Sequence, residues 1–113
     1  MYTVIRTYNI FPMTIEDFSQ DVQDNLLPIL RQMPGFMAYD LAEIGDHEVV
    51  VVSTFDSLTD AKMAARLTME WVGKHPELYF HGFSKPLAGQ VRVHCTPVSL
   101  RQPERQEHLR GVF

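Results

Sequence analysis

Gln32-Met33-Pro34-Gly35-Phe36 through Ser57-Leu58-Thr59-Asp60-Ala61 is the stretch whose reading decides the fold. Met33-Pro34-Gly35 stops a helix, because proline cannot continue one and glycine tolerates the reversal that follows. A strand over about 36–44 comes next, then a tight turn through Gly45-Asp46-His47 and a strand over about 47–55. Ser57-Leu58-Thr59-Asp60 has the Ser/Thr-x-x-acid form that caps the free amides of a helix start. Within this block Val49-Val50-Val51-Val52 is apolar at both strand parities, so both faces of its sheet need cover.

Working outward, residues 2–11 alternate bulky and β-branched side chains and predict a first strand ended by Pro12. Thr14-Ile15-Glu16-Asp17 repeats the capping signature. Phe18, Val22, Leu26, Leu27 and Leu30 follow at helical spacing, predicting an amphipathic helix over about 14–33. Pro28 lies inside it and predicts a kink or break near Asn25. Met63, Leu67 and Trp71 fall four apart on a second helix that Gly73 and His75-Pro76 close. Residues 77–87 read as an irregular aromatic segment. Val91, Val93 and Cys95 alternate with Gln90, Arg92 and His94 and predict a fourth strand.

The order βαββαβ implies an α+β, ferredoxin-like sandwich: an antiparallel four-stranded sheet with both helices on one face. Residues 1–96 form the domain, and 97–113, polar with Pro97 and Pro103, read as a C-terminal tail. The valine run then has a consequence for assembly. Helices cover one face only, and a second copy of the chain is the simplest cover for the other, so a homodimer packed sheet to sheet is expected.

Size and charge exclude several function classes. At 113 residues there is room for one core, and a formal charge of -4 is a poor match for nucleic acid. No apolar run approaches the ~20 residues of a membrane span, and the N-terminus has no basic and apolar leader, so no membrane partner is expected. The single cysteine, Cys95, forbids an intrachain disulfide, which makes a reducing cytoplasm the expected setting and an inert core thiol its expected state. Histidines 47, 75, 81, 94 and 108 show no His-x-His, His-x-x-His or Glu-x-x-His spacing, so no metal site is expected. There is no glycine-rich phosphate loop, hence no local signature for nucleotide or flavin.

Val4-Ile5-Arg6-Thr7-Tyr8, Leu30 through Tyr39, Ser53-Thr54-Phe55, Glu70-Trp71-Val72 and Gly89 through His94 resemble the antibiotic biosynthesis monooxygenase domain. The match is many weak correspondences in the right order over about 2–95. The resemblance implies a dimeric α/β barrel with a mostly apolar pocket between the second helix and the sheet. It also implies a small cofactor-independent monooxygenase acting on an aromatic, polyketide or quinone-like molecule. Met13 departs from the glycine that many relatives carry after the proline ending strand one. A haem-binding or haem-degrading branch also exists, but Arg6 stands where that branch has asparagine, and Asn9 falls on the other strand face.

In such a pocket the candidate catalytic residues are Arg6, Tyr8, Trp71, His81 and His94, and the candidate substrate-binding residues are Trp71, Tyr39, Phe55, Leu67 and Phe80. Arg6 and Tyr8 share a strand face, and a fourth strand beside the first could bring Arg92 and His94 to them. Together they could hold a phenolate or enolate, the electron-rich form from which electron transfer to O2 is easiest. The bland alternatives are solvated edge positions or dimer contacts for these residues, and a core position for Trp71. His75 suits the helix C-terminus as a capping cation, His81 is the better acid/base candidate, and His47 reads as a solvated turn residue. A non-catalytic dimeric module binding a small apolar metabolite is the alternative function.

Overall fold

A computed structural model describes residues 1–74 and 86–97. Strand β1 (Tyr2–Asn9) leads into helix α1 (Ile15–Asp21), a π-helical turn (Val22–Leu26) and helix α2 (Leu27–Leu30). Strands β2 (Phe36–Gly45) and β3 (Glu48–Phe55) form the hairpin, followed by helix α3 (Leu58–Val72) and strand β4 (Leu87–Gln90). The sheet order is β2-β3-β1-β4, antiparallel throughout. This is the ferredoxin-like sandwich, with an open sheet in the single chain.

Both expected caps form. The Thr14 hydroxyl accepts from the Asp17 amide and the Ser57 hydroxyl from the Asp60 amide, each at 3.1 Å. Pro28 acts through its missing amide, which cannot donate to the carbonyl of Asp24. The helix widens instead of breaking: the Leu27 amide donates to Val22, five residues back. Phe18, Val22, Leu26 and Leu30 still reach the core. In the hairpin, His47 takes the left-handed conformation (φ 57°). It is half-buried rather than solvated, with Nδ1 2.9 Å from the Met13 carbonyl and its ring edge-on to Phe11.

The fourth strand differs from expectation. It occupies Leu87–Gln90, and residues 91–97 carry no regular structure. Pairing runs from Ile5↔Leu87 to Tyr2↔Gln90, and the Val91 amide then bonds the Met1 carbonyl. Cys95 is consequently exposed instead of buried in a core. Residues 77–85 of the expected aromatic segment (77–87) and 98–113 of the expected tail (97–113) lie outside the described residues.

Strand parity divides the sheet. Val4, Tyr8, Val49, Val51 and Phe55 are buried beneath the helices. Ile5, Val50 and Val52 face the other way and are only half-buried, with Ile5 paired to Val52 and to Leu87, itself exposed.

Gly35 is fixed by a close approach. A Cβ there would stand 1.9 Å from an Asp60 carboxylate oxygen and 2.9 Å from the Asp60 Cβ. That same oxygen accepts from the Ser57 hydroxyl at 2.8 Å. Gly35→Ala should therefore push the start of α3 off its cap and lower stability by about 1–3 kcal/mol. Urea denaturation checks this as a drop in midpoint with unchanged slope.

Candidate functional site

Parity places the site residues. Val4, Arg6 and Tyr8 form one row on the helix-facing side of β1, because successive side chains alternate. Register sets Val4 opposite Ser53 and Arg6 opposite Val51, while Tyr39 of β2 lies across from Ser53. Above them α3 presents Ala61, Ala64, Ala65 and Thr68, and α2 supplies Leu30. Together with Phe55 these residues line a cavity between sheet and α3. Its interior is about 20 Å³, room for one water molecule, within a cleft of about 330 Å³ that includes the open mouth.

Arg6 is the notable group: a guanidinium only 8% exposed, the charged member of the described core. Its Nη1 lies 3.6 Å from the Met69 sulfur, a weak acceptor. It also hydrogen-bonds and attracts the Tyr8 oxygen. No carboxylate lines the cavity among the described residues. Burial raises the Tyr8 phenol above its ordinary value, and Arg6 only partly offsets that. Tyr39 is raised further, first by burial and then by repulsion from Tyr8, against the pull of Arg6. Both phenols therefore stay protonated near neutral pH and donate hydrogen bonds. Ser53 and Thr68 add two hydroxyls. Such a lining can donate hydrogen bonds to an acceptor oxygen, most strongly to a charged one.

Of the residues singled out from sequence, Arg6, Tyr8, Tyr39 and Phe55 come together here. Trp71 and Leu67 do not. Their row lies about 90° around α3 from the cavity-facing alanines at 3.6 residues per turn. Trp71 is buried against Phe18, with ring centroids 5.9 Å apart. Trp71 and Leu67 instead line a groove between the helices, with Asp21, Asn25, Ile29, Glu70 and Lys74, whose interior is about 340 Å³ against about 20 Å³ for the Arg6 cavity. That groove is larger, but none of its ionisable groups is buried.

The structure does not bring His94 or Arg92 to Arg6. Both are exposed, and β4 pairs by a register in which position 86 would face Arg6. His94 is eight residues further along, roughly 26 Å at 3.3 Å per residue if the chain stays extended. His81 and Phe80 lie outside the described residues. Sequence reasoning missed Ser53, Thr68 and Met69. Counting by two back from Phe55 would have found Ser53, whereas Thr68 and Met69 needed the rotation of α3. Among the described residues no His, Cys, Asp and Glu group could hold a metal ion, and no helix is long and apolar enough to cross a membrane.

Comparison with known proteins adds family and fold. The family model for antibiotic biosynthesis monooxygenase matches residues 1–67. The Rv0793 protein of Mycobacterium tuberculosis is 15% identical, with TM-score 0.66, over 84% of this chain and 98% of that one. A Streptomyces coelicolor monooxygenase solved with nanaomycin D is 14% identical, with TM-score 0.62, over 85% and 91%. A dimeric ferredoxin-like protein from an uncultured marine organism is 13% identical, with TM-score 0.62, over 85% and 97%. At such identities the likeness shows a shared fold. No curated protein matches the chain.

The raised phenols have a consequence for stability. Below about pH 10 both states hold the protons and nothing changes. Above it the unfolded chain ionises first, so stability falls as pH climbs towards the folded values. Phenolate absorbance should show two groups ionising late, one removed by Tyr8→Phe and one by Tyr39→Phe. Arg6→Met should delay Tyr8 further, because the opposing attraction is gone.

Proposed function

The chain belongs to the antibiotic biosynthesis monooxygenase family, and on that premise we propose a cofactor-independent monooxygenase acting on an aromatic, polyketide or quinone-like molecule in the Arg6 cavity of a homodimer. The observation that carries the reading is a buried guanidinium ringed by protonated hydroxyls, with no described carboxylate to neutralise it. Such a site stabilises an oxyanion on the substrate, and an electron-rich anion is the form that can reduce O2 without a cofactor. The balance is simple for a hydroquinone. One oxygen atom enters the ring as hydroxyl, the other leaves as water, and the ring supplies four electrons in becoming a hydroxyquinone.

Arg6 holds the oxyanion, Tyr8 and Tyr39 donate to it, and Phe55 with the α3 alanines forms the apolar wall. The S. coelicolor monooxygenase solved with nanaomycin D supports a small-molecule ligand for a domain of this fold. Trp71 braces α3 against Phe18, a positioning role instead of a stacking one. His81 is the candidate for moving the proton. A binding module without catalysis is the second reading, favoured by the small interior of the cavity. Haem binding has less support, since Asn9 is exposed and Arg6 occupies the inner face.

Oxygen uptake with a panel of hydroquinones separates the first two readings. Turnover should fall at least ~100-fold in Arg6→Met and partly recover in Arg6→Lys. Uptake no greater than that of Arg6→Met would leave the binding module. For assembly, the half-buried Ile5, Val50 and Val52 and the dimeric relative favour sheet-to-sheet pairing. Sedimentation at micromolar concentration should give a dimer for the natural chain and a monomer for Val52→Asp, with folding retained in both.

A further inference from the structure

We infer that the Arg6 cavity selects planar acids that arrive already ionised, hydroxyquinones and enolised dicarbonyl compounds bound as their oxyanions. This rests on the reading of the same cavity as the ligand site and narrows the class it takes. The first argument is the absence of a base among the described lining residues. From β1 the cavity receives Arg6 and Tyr8, from β2 Tyr39, from β3 Ser53 and from α3 Thr68, all donors near neutral pH. The other charged groups on these elements lie elsewhere. Asp40 pairs with Val52 on the opposite face, and Glu43, Glu48, Lys62, Arg66 and Glu70 are exposed. Asp60 is occupied with the cap of α3. Among the described residues nothing can take a proton from a bound neutral phenol, which leaves His81, outside them, to act only after the anion has bound.

The second argument is size. An interior of about 20 Å³ admits a single oxygen atom and not a ring, so the planar remainder stays in the wider cleft. The atom that enters meets the guanidinium. A charged oxygen completes a charge-assisted hydrogen bond there, whereas a neutral carbonyl leaves the cation uncompensated. An ordinary phenol is only about one part in a thousand ionised at pH 7, and with no base among the described lining residues that deficit passes directly into its affinity. A hydroxyquinone carries no such penalty.

The test is a binding titration at pH 7 with hydroxynaphthoquinone, its parent naphthoquinone and naphthol, followed by ligand absorbance and calorimetry. Hydroxynaphthoquinone should bind at least ~10-fold more tightly than either analogue, retain its anion spectrum, and weaken as pH falls through its own ionisation. Arg6→Met should abolish the discrimination and Arg6→Lys keep most of it. The natural chain alone decides the matter if Arg6→Met fails to fold. Equal binding of the three, no binding of any, or naphthol held as its phenolate would overturn the inference, the last by revealing a base. Since no step needs O2, selective binding without oxygen uptake would fail only the catalytic reading. Uptake with naphthol and no selectivity would fail only this one.

Discussion

Every feature of this domain depends on the two-residue alternation of an antiparallel sheet whose helices all lie on one side. Each strand position must face either the helices or the open side, and a shift of one residue would exchange them. Val49, Val51 and Phe55 go inward while Val50 and Val52 go outward. On β1 the same rule sends Val4, Arg6 and Tyr8 inward and Ile5 and Thr7 outward. One constraint thus lays the Arg6 cavity on one face and leaves an apolar surface on the other. The two can change independently, because no side chain belongs to both.

The elements governed by local chemistry were legible in the sequence. Thr14 and Ser57 announce their caps, Pro28 disturbs its helix at the expected place, and Gly45-Asp46 closes the hairpin within a residue of the expected bounds. Arg6, Tyr8, Tyr39 and Phe55 were also within reach, since parity along a strand can be counted. What escaped depends on partners that no local pattern records. Residues 90–95 alternate like a strand, yet the ladder with β1 ends at Tyr2↔Gln90, and alternation alone does not record which residues find a partner. Trp71 lies on an apolar stripe, but which half of that stripe meets the sheet and which meets α1 follows from the rotation of α3. For the same reason Met69 gave no sign of lying beside Arg6.

Stability alone is a poor account of Arg6. Desolvating a cation costs several kcal/mol, and a buried charge breaks even only when a well-placed opposite charge and a full set of hydrogen bonds surround it. Here the contacts among the described residues are a thioether and a phenol, with no carboxylate among them in the cavity. Tyr8 and Tyr39 deepen the problem. Their ionisation would neutralise the guanidinium, yet burial holds them protonated. An apolar side chain of similar volume would suit the surrounding valines and alanines at least as well as this arrangement does. A buried charge that works against the stability of its own fold is what motivates the proposed ligand role. Among the described residues the complement it lacks is one negative charge on a small atom, and the cavity beside it has space to receive one.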